Sequence, residues 1–443
     1  MEVTIRLVKL LNIVAMSVPI YFLWTYHVAS ISQIKFFFWG NVVFACFFGL
    51  LYWAYARTYD VFRLGLTRIS EIFYGQVLAA FFSDCFMYLL FALLCKKLFW
   101  PWYLLAVLCI QMLIALAWSR IGHKVYRKLN PPMPSLLIYD QRKDCQDLVK
   151  KYGMDKRFDV QRSLYAKEAL KSPSCLEGIK CVLLFGVHSH ERNIVIKECV
   201  ERNIQCYLLP RIGDVIMSGA HQVHLFHLPM LQVSRYNPHP EYILEKRIFD
   251  IVSSGVVLLL LSPFFLVTAL AIKLQDGGPV FYTQARLTKD GKVFDVYKFR
   301  SMRVDAEKDG VARLSTGEND DRITAVGKII RKFRIDEFPQ LLNIIRGDMS
   351  VVGPRPERPE IAAEYEKTIP EFRLRLQVKA GLTGYAQVYG KYNTLPYDKL
   401  QMDLMYIAKP SFFEDLRIIF ATFRILFVSA STEGVEGRVA GEA

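Results

Sequence analysis

Charge is scarce in this chain, glycine-rich turns are missing, and the cysteines form no pattern. Only 22% of the 443 residues are charged while 53% are hydrophobic, which excludes a disordered, collagen-like or wholly soluble protein. The nine cysteines are odd in number, sit mostly inside apolar runs and never form a C-x-x-C pair. They read as reduced packing residues, with neither a disulfide frame nor a zinc site. His188 and His190, then His221, His224 and His227, lack an accompanying carboxylate or cysteine pattern, so no metal is assigned to them. Lys+Arg exceed Asp+Glu by 56 to 42, a net charge of +14. In an apolar chain that excess marks membrane-facing cytoplasmic loops or anionic phosphate substrates, and no nucleic-acid partner is expected.

Four apolar stretches come first, Leu10 to Ala29, Phe36 to Ala56, Ile72 to Cys95 and Phe99 to Ser119. About 20 residues at 1.5 Å each cross about 30 Å of hydrocarbon, so residues 1–125 are expected to form a four-helix transmembrane domain. With four crossings, Arg6, Lys9, Arg57, Arg63, Arg68, Arg120, Lys124, Arg127 and Lys128 share one side, and the other side holds Lys35, Lys96 and Lys97. By the positive-inside rule the N-terminus and everything after residue 120 face the cytoplasm.

Residues 132–240 alternate short apolar runs with polar helical ones. Ser135 to Tyr139, Cys181 to Gly186 and Gln205 to Leu209 read as parallel strands and His190 to Arg202 as a helix, a Rossmann-like α/β domain. The turn after the first strand, Asp140-Gln-Arg-Lys-Asp144, has no glycine to admit a pyrophosphate. Dinucleotide binding is therefore not expected, and a structural or regulatory role is.

A third domain spans 242–430. Its opening apolar run, Ile251 to Ile272, is interrupted by Ser262-Pro263 and flanked by Lys246, Arg247 and Lys273. A break at the proline lets the segment 246–274 enter one leaflet and turn back, as a re-entrant helix; the alternative is a Pro-kinked fifth crossing. Further on, Ile323, Val326, Ile330 and Phe333 repeat at helical spacing among Lys328, Arg331, Lys332 and Arg334, which describes a basic helix at a membrane surface. It leads into Asp336-Glu337, followed by Pro339 at a position suited to a first helical turn. The helix field and nearby Arg331 and Arg334 favour ionised carboxylates, as a nucleophile or a magnesium ligand requires. Gly353-Pro354-Arg355-Pro356 presents a guanidinium on a stiff, extended loop, and Lys298 and Arg300 add cations after a strand Val293 to Tyr297. Arg417 and Arg424, seven apart, place the last apolar stretch on a surface helix, and residues 431–443 read as a disordered tail.

Seven segments occur in one order: Glu245 to Asp250, the Ser262-Pro263 break, Gly278 to Tyr282, Lys298 to Met302, Ile335 to Asn343, Gly347 to Pro356 and Gly381 to Val388. Together they resemble the bacterial polyprenyl-phosphate glycosyl-1-phosphate transferases, large members of which are the undecaprenyl-phosphate galactose and glucose phosphotransferases. Tyr385 stands where tryptophan is common in that family. The resemblance implies a monotopic transferase that moves a sugar-1-phosphate from a UDP-sugar to undecaprenyl phosphate and releases UMP, at the cytoplasmic face of a bacterial inner membrane. It implies Asp336 as nucleophile, Glu337 with Asp336 as holders of Mg2+, Arg331 and Arg355 as phosphate ligands with Lys298 and Arg300 as lesser ones, and a homodimer. The rival readings are a non-catalytic scaffold and a nucleotide-sugar-responsive regulator of polysaccharide assembly.

Overall fold

A computed structural model describes all residues except 1, 33–36, 66, 99, 101, 141, 143–147, 152–153, 172, 237, 304–321, 391–393 and 426–443. The expected tail 431–443 and most of the turn 140–144 thus lie outside the described residues. The chain divides into two compact units, Met1–Leu209 and Pro210–Ala443.

Five helices are long and apolar enough to cross a membrane: Thr4–Ile31, Phe38–Thr58, Ile69–Cys95, Trp102–Leu129 and Pro240–Asp276. The first four follow the four expected stretches. Their contacts use polar side chains that hydrogen-bond across helices, as packing in lipid favours. Asn12 donates to Gln76 Oε1 at 2.9 Å, the Tyr52 hydroxyl donates to Asn12 Oδ1 at 3.0 Å, and Gln111 donates to Asp84 Oδ1 at 3.3 Å.

The first unit continues with β1 (Met133–Tyr139), β2 (Phe158–Tyr165), β3 (Cys181–Phe185) and β4 (Gln205–Leu208), parallel and in the order β2-β1-β3-β4. Central β1 and β3 bury Leu136, Leu137, Ile138, Val182 and Leu184 almost completely, at about 1.5–3 kcal/mol for each large side chain. Edge strand β2 escapes sequence reading because five of its eight residues, Asp159, Gln161, Arg162, Ser163 and Tyr165, are polar or amphipathic and half of the strand is exposed.

The domain boundary expected near residue 240 differs from the structural one. Helix Ile212–Ser218 belongs to the second unit, because Ile212 and Val215 join a core with Leu400, Leu404 and Ile407. It is followed by the hairpin β5 (His221–Leu225) and β6 (Leu228–Gln232), which carries His221 and His224.

Helix Pro240–Asp276 is continuous, with Pro263 inside it, so the expected interruption at Ser262-Pro263 does not occur. Pro263 offers no N–H to the carbonyl four residues back, Leu259, and the Ser262 hydroxyl donates to that carbonyl at 2.8 Å instead. One stripe, with Asp250, Ser254, Leu258, Phe265, Thr268 and Ile272, faces the protein. Leu259, Leu260, Phe264, Leu266, Val267 and Leu274 are each 65–77% exposed.

Against that stripe lie the antiparallel pair β7 (Phe281–Leu287) and β8 (Val293–Phe299), and the parallel pair β9 (Met349–Val352) and β10 (Ala380–Thr383). Val296 of β8 shares a core with Leu341, Ile344, Met349 and Ala380. Asn343, fully buried on helix Gln340–Arg346, completes the free edge of β8: its amide donates to Asp295 O at 2.8 Å and its carbonyl accepts from Tyr297 N at 3.0 Å. The last described helix, Phe412–Ile425, carries Arg417 and Arg424.

Candidate active site

The carboxylate pair is placed by two chain reversals. Helix Ala325–Lys332 starts at Thr324, whose hydroxyl caps Gly327 N at 2.9 Å. Gly327 is needed because a Cβ there would lie 1.9 Å from Ser301 O, so the helix packs directly on the chain leaving β8. The helix ends at Phe333, and Arg334 turns left-handed (φ 55°) into a short 3-10 turn, Ile335–Glu337. Such a φ is unfavourable for arginine, and strain of this kind collects at functional sites. Pro339 follows, then helix Gln340–Arg346.

Lys298 and Val296 lie on the same face of β8. Since Val296 is buried with Leu341 and Ile344, Lys298 is directed to the residues just before their helix. Its Nζ lies 3.8 Å from Glu337 Oε1. Arg355 Nη2 donates to the same oxygen at 2.8 Å, and Arg334 Nη1 stands 3.8 Å from Oε2. Glu337 is thus surrounded by three cations brought from 3, 18 and 39 residues away.

The neighbouring carboxylates differ in charge state. Burial opposes ionisation of Glu337, yet Arg355, Lys298 and Arg334 hold its carboxyl below the usual range. Asp336 is pushed up to about 6 by burial and then by the Glu337 charge, against the pull of Lys298, Arg331 and Arg355. The cations favour the ionised form of both acids, as expected, but hold Asp336 less firmly than Glu337. Three cations stand against its neighbour, and desolvation dominates the rest. Burial likewise lowers Lys298, while Glu337 raises Arg355.

The loop bearing Arg355 leaves β9. Gly353 N donates to Thr383 O at 2.9 Å and Gly381 N to Pro354 O at 2.9 Å. A Cβ at Gly381 would lie 2.1 Å from Gly353 N, so only glycine permits this approach. Beyond Arg355, Arg286 donates to Pro356 O at 3.1 Å and Leu287 N to Glu357 O at 2.9 Å. Burial brings Arg286 down to about 10, with Glu357 opposing.

Of the residues singled out in sequence, Lys298, Asp336, Glu337 and Arg355 meet in one cluster, and Arg331 acts on Asp336 electrostatically. Arg300 does not join them: it is buried, ion-paired with Asp276 at the end of the long helix, and packed against the backbone at Gly278. His188, in the first unit, lies 3.4 Å from Asp140. Arg334, read from the sequence as lying near the acid pair, stands at Glu337, whereas Arg286 and Arg375 were missed and carried no sequence signal.

Among the described residues no group of three or more His, Cys, Asp or Glu side chains is arranged to hold a metal. Two adjacent carboxylates still fit Mg2+, which is bound through one or two carboxylates together with substrate phosphates. Asp336 and Glu337 would be the two carboxylates to hold it, with Lys298, Arg331 and Arg355 acting on Asp336.

Residues 241–429 match the family model described as bacterial sugar transferase. The exopolysaccharide production protein PSS of Rhizobium leguminosarum bv. phaseoli is 45% identical over 188 residues, 40% of this chain and 92% of that one. The chain belongs to the bacterial sugar transferase family. Longer relatives include the UDP-N-acetylgalactosamine-undecaprenyl-phosphate N-acetylgalactosaminephosphotransferase of Aeromonas hydrophila, 37% identical over 234 residues (52% of this chain, 54% of the relative). The UDP-glucose:undecaprenyl-phosphate glucose-1-phosphate transferase of Escherichia coli K12 is 40% identical over 211 residues (46% of this chain, 43% of the relative). The match thus spans about half the length of these curated relatives. All of the cluster around Asp336 lies inside the matched family segment.

Proposed function

We propose that this sugar transferase moves a sugar-1-phosphate from a UDP-sugar to undecaprenyl phosphate and releases UMP, as the first membrane step in building a surface polysaccharide. The observation that carries the reading is the Asp336-Glu337 pair amid Lys298, Arg331, Arg334 and Arg355, beside a helix with an exposed apolar face. Such a site suits a charged donor meeting a lipid phosphate, and the names of the relatives favour the same substrates.

An Asp336 carboxylate oxygen attacks the sugar-bearing phosphorus. The bond from that phosphorus to the bridging oxygen breaks, UMP leaves with the electron pair, and an aspartyl-phosphosugar remains. An oxygen of undecaprenyl phosphate then attacks the same phosphorus and expels the Asp336 carboxylate. With a value near 6, Asp336 is mostly ionised at neutral pH and only partly neutralised by its cations, which favours it over Glu337 as nucleophile. Arg355 and Lys298 exchange Glu337 for phosphate oxygens and stabilise the charge that develops on them. Mg2+ held by Glu337 and Asp336 would neutralise pyrophosphate charge.

Both ends of helix Pro240–Asp276 are tied to the same unit, Lys246 to Asp415 at 2.8 Å and Asp276 to Arg300. This supports a helix that enters and leaves one membrane face, bent at Pro263, and holds the site at headgroup depth on the cytoplasmic side. A homodimer rests on the resemblance alone, and the mass of the nanodisc-embedded particle decides it.

The test is UMP release from UDP-glucose, UDP-galactose and their N-acetylated forms by the nanodisc-embedded protein, with Mg2+ and undecaprenyl phosphate. Lipid-dependent release from one donor, lost in Asp336→Asn, is expected. Full turnover by Asp336→Asn would overturn the covalent step, and no release from any donor would overturn the activity.

A further inference from the structure

We propose that Arg375, held by Asp403, is a positioning residue that sets the reach of Arg355 into the phosphate site; this rests on the function proposed above. Pro354 and Pro356 have no N–H, so the Arg355 loop is held mainly through its carbonyls. Four in succession accept a hydrogen bond: Pro354 O from Gly381 N, Arg355 O from Arg375 Nη2 at 3.0 Å, Pro356 O from Arg286, and Glu357 O from Leu287 N. Arg375 alone of these donors contacts the backbone of Arg355 itself.

The Arg375 guanidinium is itself immobilised. Its side chain is 7% exposed and lies 5.0 Å from the centre of the Phe372 ring. Two of its nitrogens bind Asp403 Oδ2, Nε at 2.9 Å and Nη2 at 2.7 Å, and Asp403 is 2% exposed. The planar fork holds a carboxylate and a carbonyl at once, a geometry that a lysine ammonium on a flexible stem does not reproduce. Arg355 lies 2.8 Å from Glu337 through its other end, so a shift of its carbonyl passes directly to the guanidinium. A misplacement of about 1 Å at such a group costs on the order of 100-fold in rate.

The experiment is a double-mutant cycle on UMP release by the full chain in nanodiscs, using the donor that turns over in the panel above. Arg375→Lys and Arg355→Lys are each expected to lower kcat on the order of 30- to 100-fold with a smaller change in KM. The double variant should fall within about threefold of Arg355→Lys alone, because Arg375 acts through Arg355. Multiplying effects, or a wild-type rate in Arg375→Lys, would overturn the proposal. If Arg375→Lys unfolds, as thermal unfolding will reveal, Asp403→Asn loosens the same fork and must show the same absorption into Arg355→Lys. A wild-type protein that releases no UMP would instead overturn the activity itself.

Discussion

The two units bury polar groups in different ways. Between the helices of the first, the partners are amides and a hydroxyl, Asn12, Gln76 and Tyr52, and Asp84 faces the amide of Gln111 rather than a cation. The second unit buries ion pairs as well, Arg375 with Asp403 and Lys246 with Asp415. Neutral groups join helices at little desolvation cost. Buried ions are tolerable only with complete pairing, and in exchange they hold a loop or a carboxylate in a defined place and charge state. The first arrangement suits association in an apolar medium, the second a reaction that moves charge.

The largest expected effect breaks the ionic side at its centre. Glu337→Gln leaves Arg355, Lys298 and Arg334 without their shared counter-charge. UMP release should fall on the order of 1,000-fold, as measured in nanodiscs with saturating Mg2+. Next, Asp415→Ala leaves Lys246 unpaired and removes the acceptor of Tyr242 and Tyr406. About 3 kcal/mol of stability should be lost, visible as a lower unfolding temperature.

The titration of Asp336 sharpens the contrast between neighbours. If Asp336 is the nucleophile as proposed, ionising near 6, kcat/KM should be flat above that pH and fall about tenfold per unit below it. For stability the sign is reversed. The folded value lies above the unfolded one, so the contribution is fully present below about 4 and lost as pH rises through 6. Asp336→Asn should therefore raise the unfolding temperature at pH 7 and not at pH 4. The smallest effect tests the neutral side: Gln76→Leu should cost about 1 kcal/mol of thermal stability and leave UMP release unchanged.

Much of this was legible along the chain. Runs of about 20 apolar residues mark membrane-length helices by arithmetic, and Asp336-Glu337 before Pro339 marks a carboxylate pair at an element junction. Elsewhere neighbours overrode the pattern. Pro263 predicted a break, but Ser262 sits where its hydroxyl satisfies the released carbonyl and the helix continues. Arg300 stands two residues after Lys298 and reads as its companion. The pleat sends it the same way along the strand, yet at the strand's end Asp276, 24 residues upstream, captures it. Arg375 belongs to none of the ordered motifs, and only folding places it on the carbonyl of Arg355.

The order of residues by itself determined the long helices, the family and the identity of the acid pair, because hydropathy, proline geometry and adjacency are local properties. Tertiary structure decided which cations serve the pair, where the second unit begins, and why Asp336 and Glu337, one peptide bond apart, hold their protons so differently. Desolvation and ion pairing depend on neighbours brought from distant segments, here Lys298 from a strand, Arg334 from a left-handed turn and Arg355 from a proline-flanked loop.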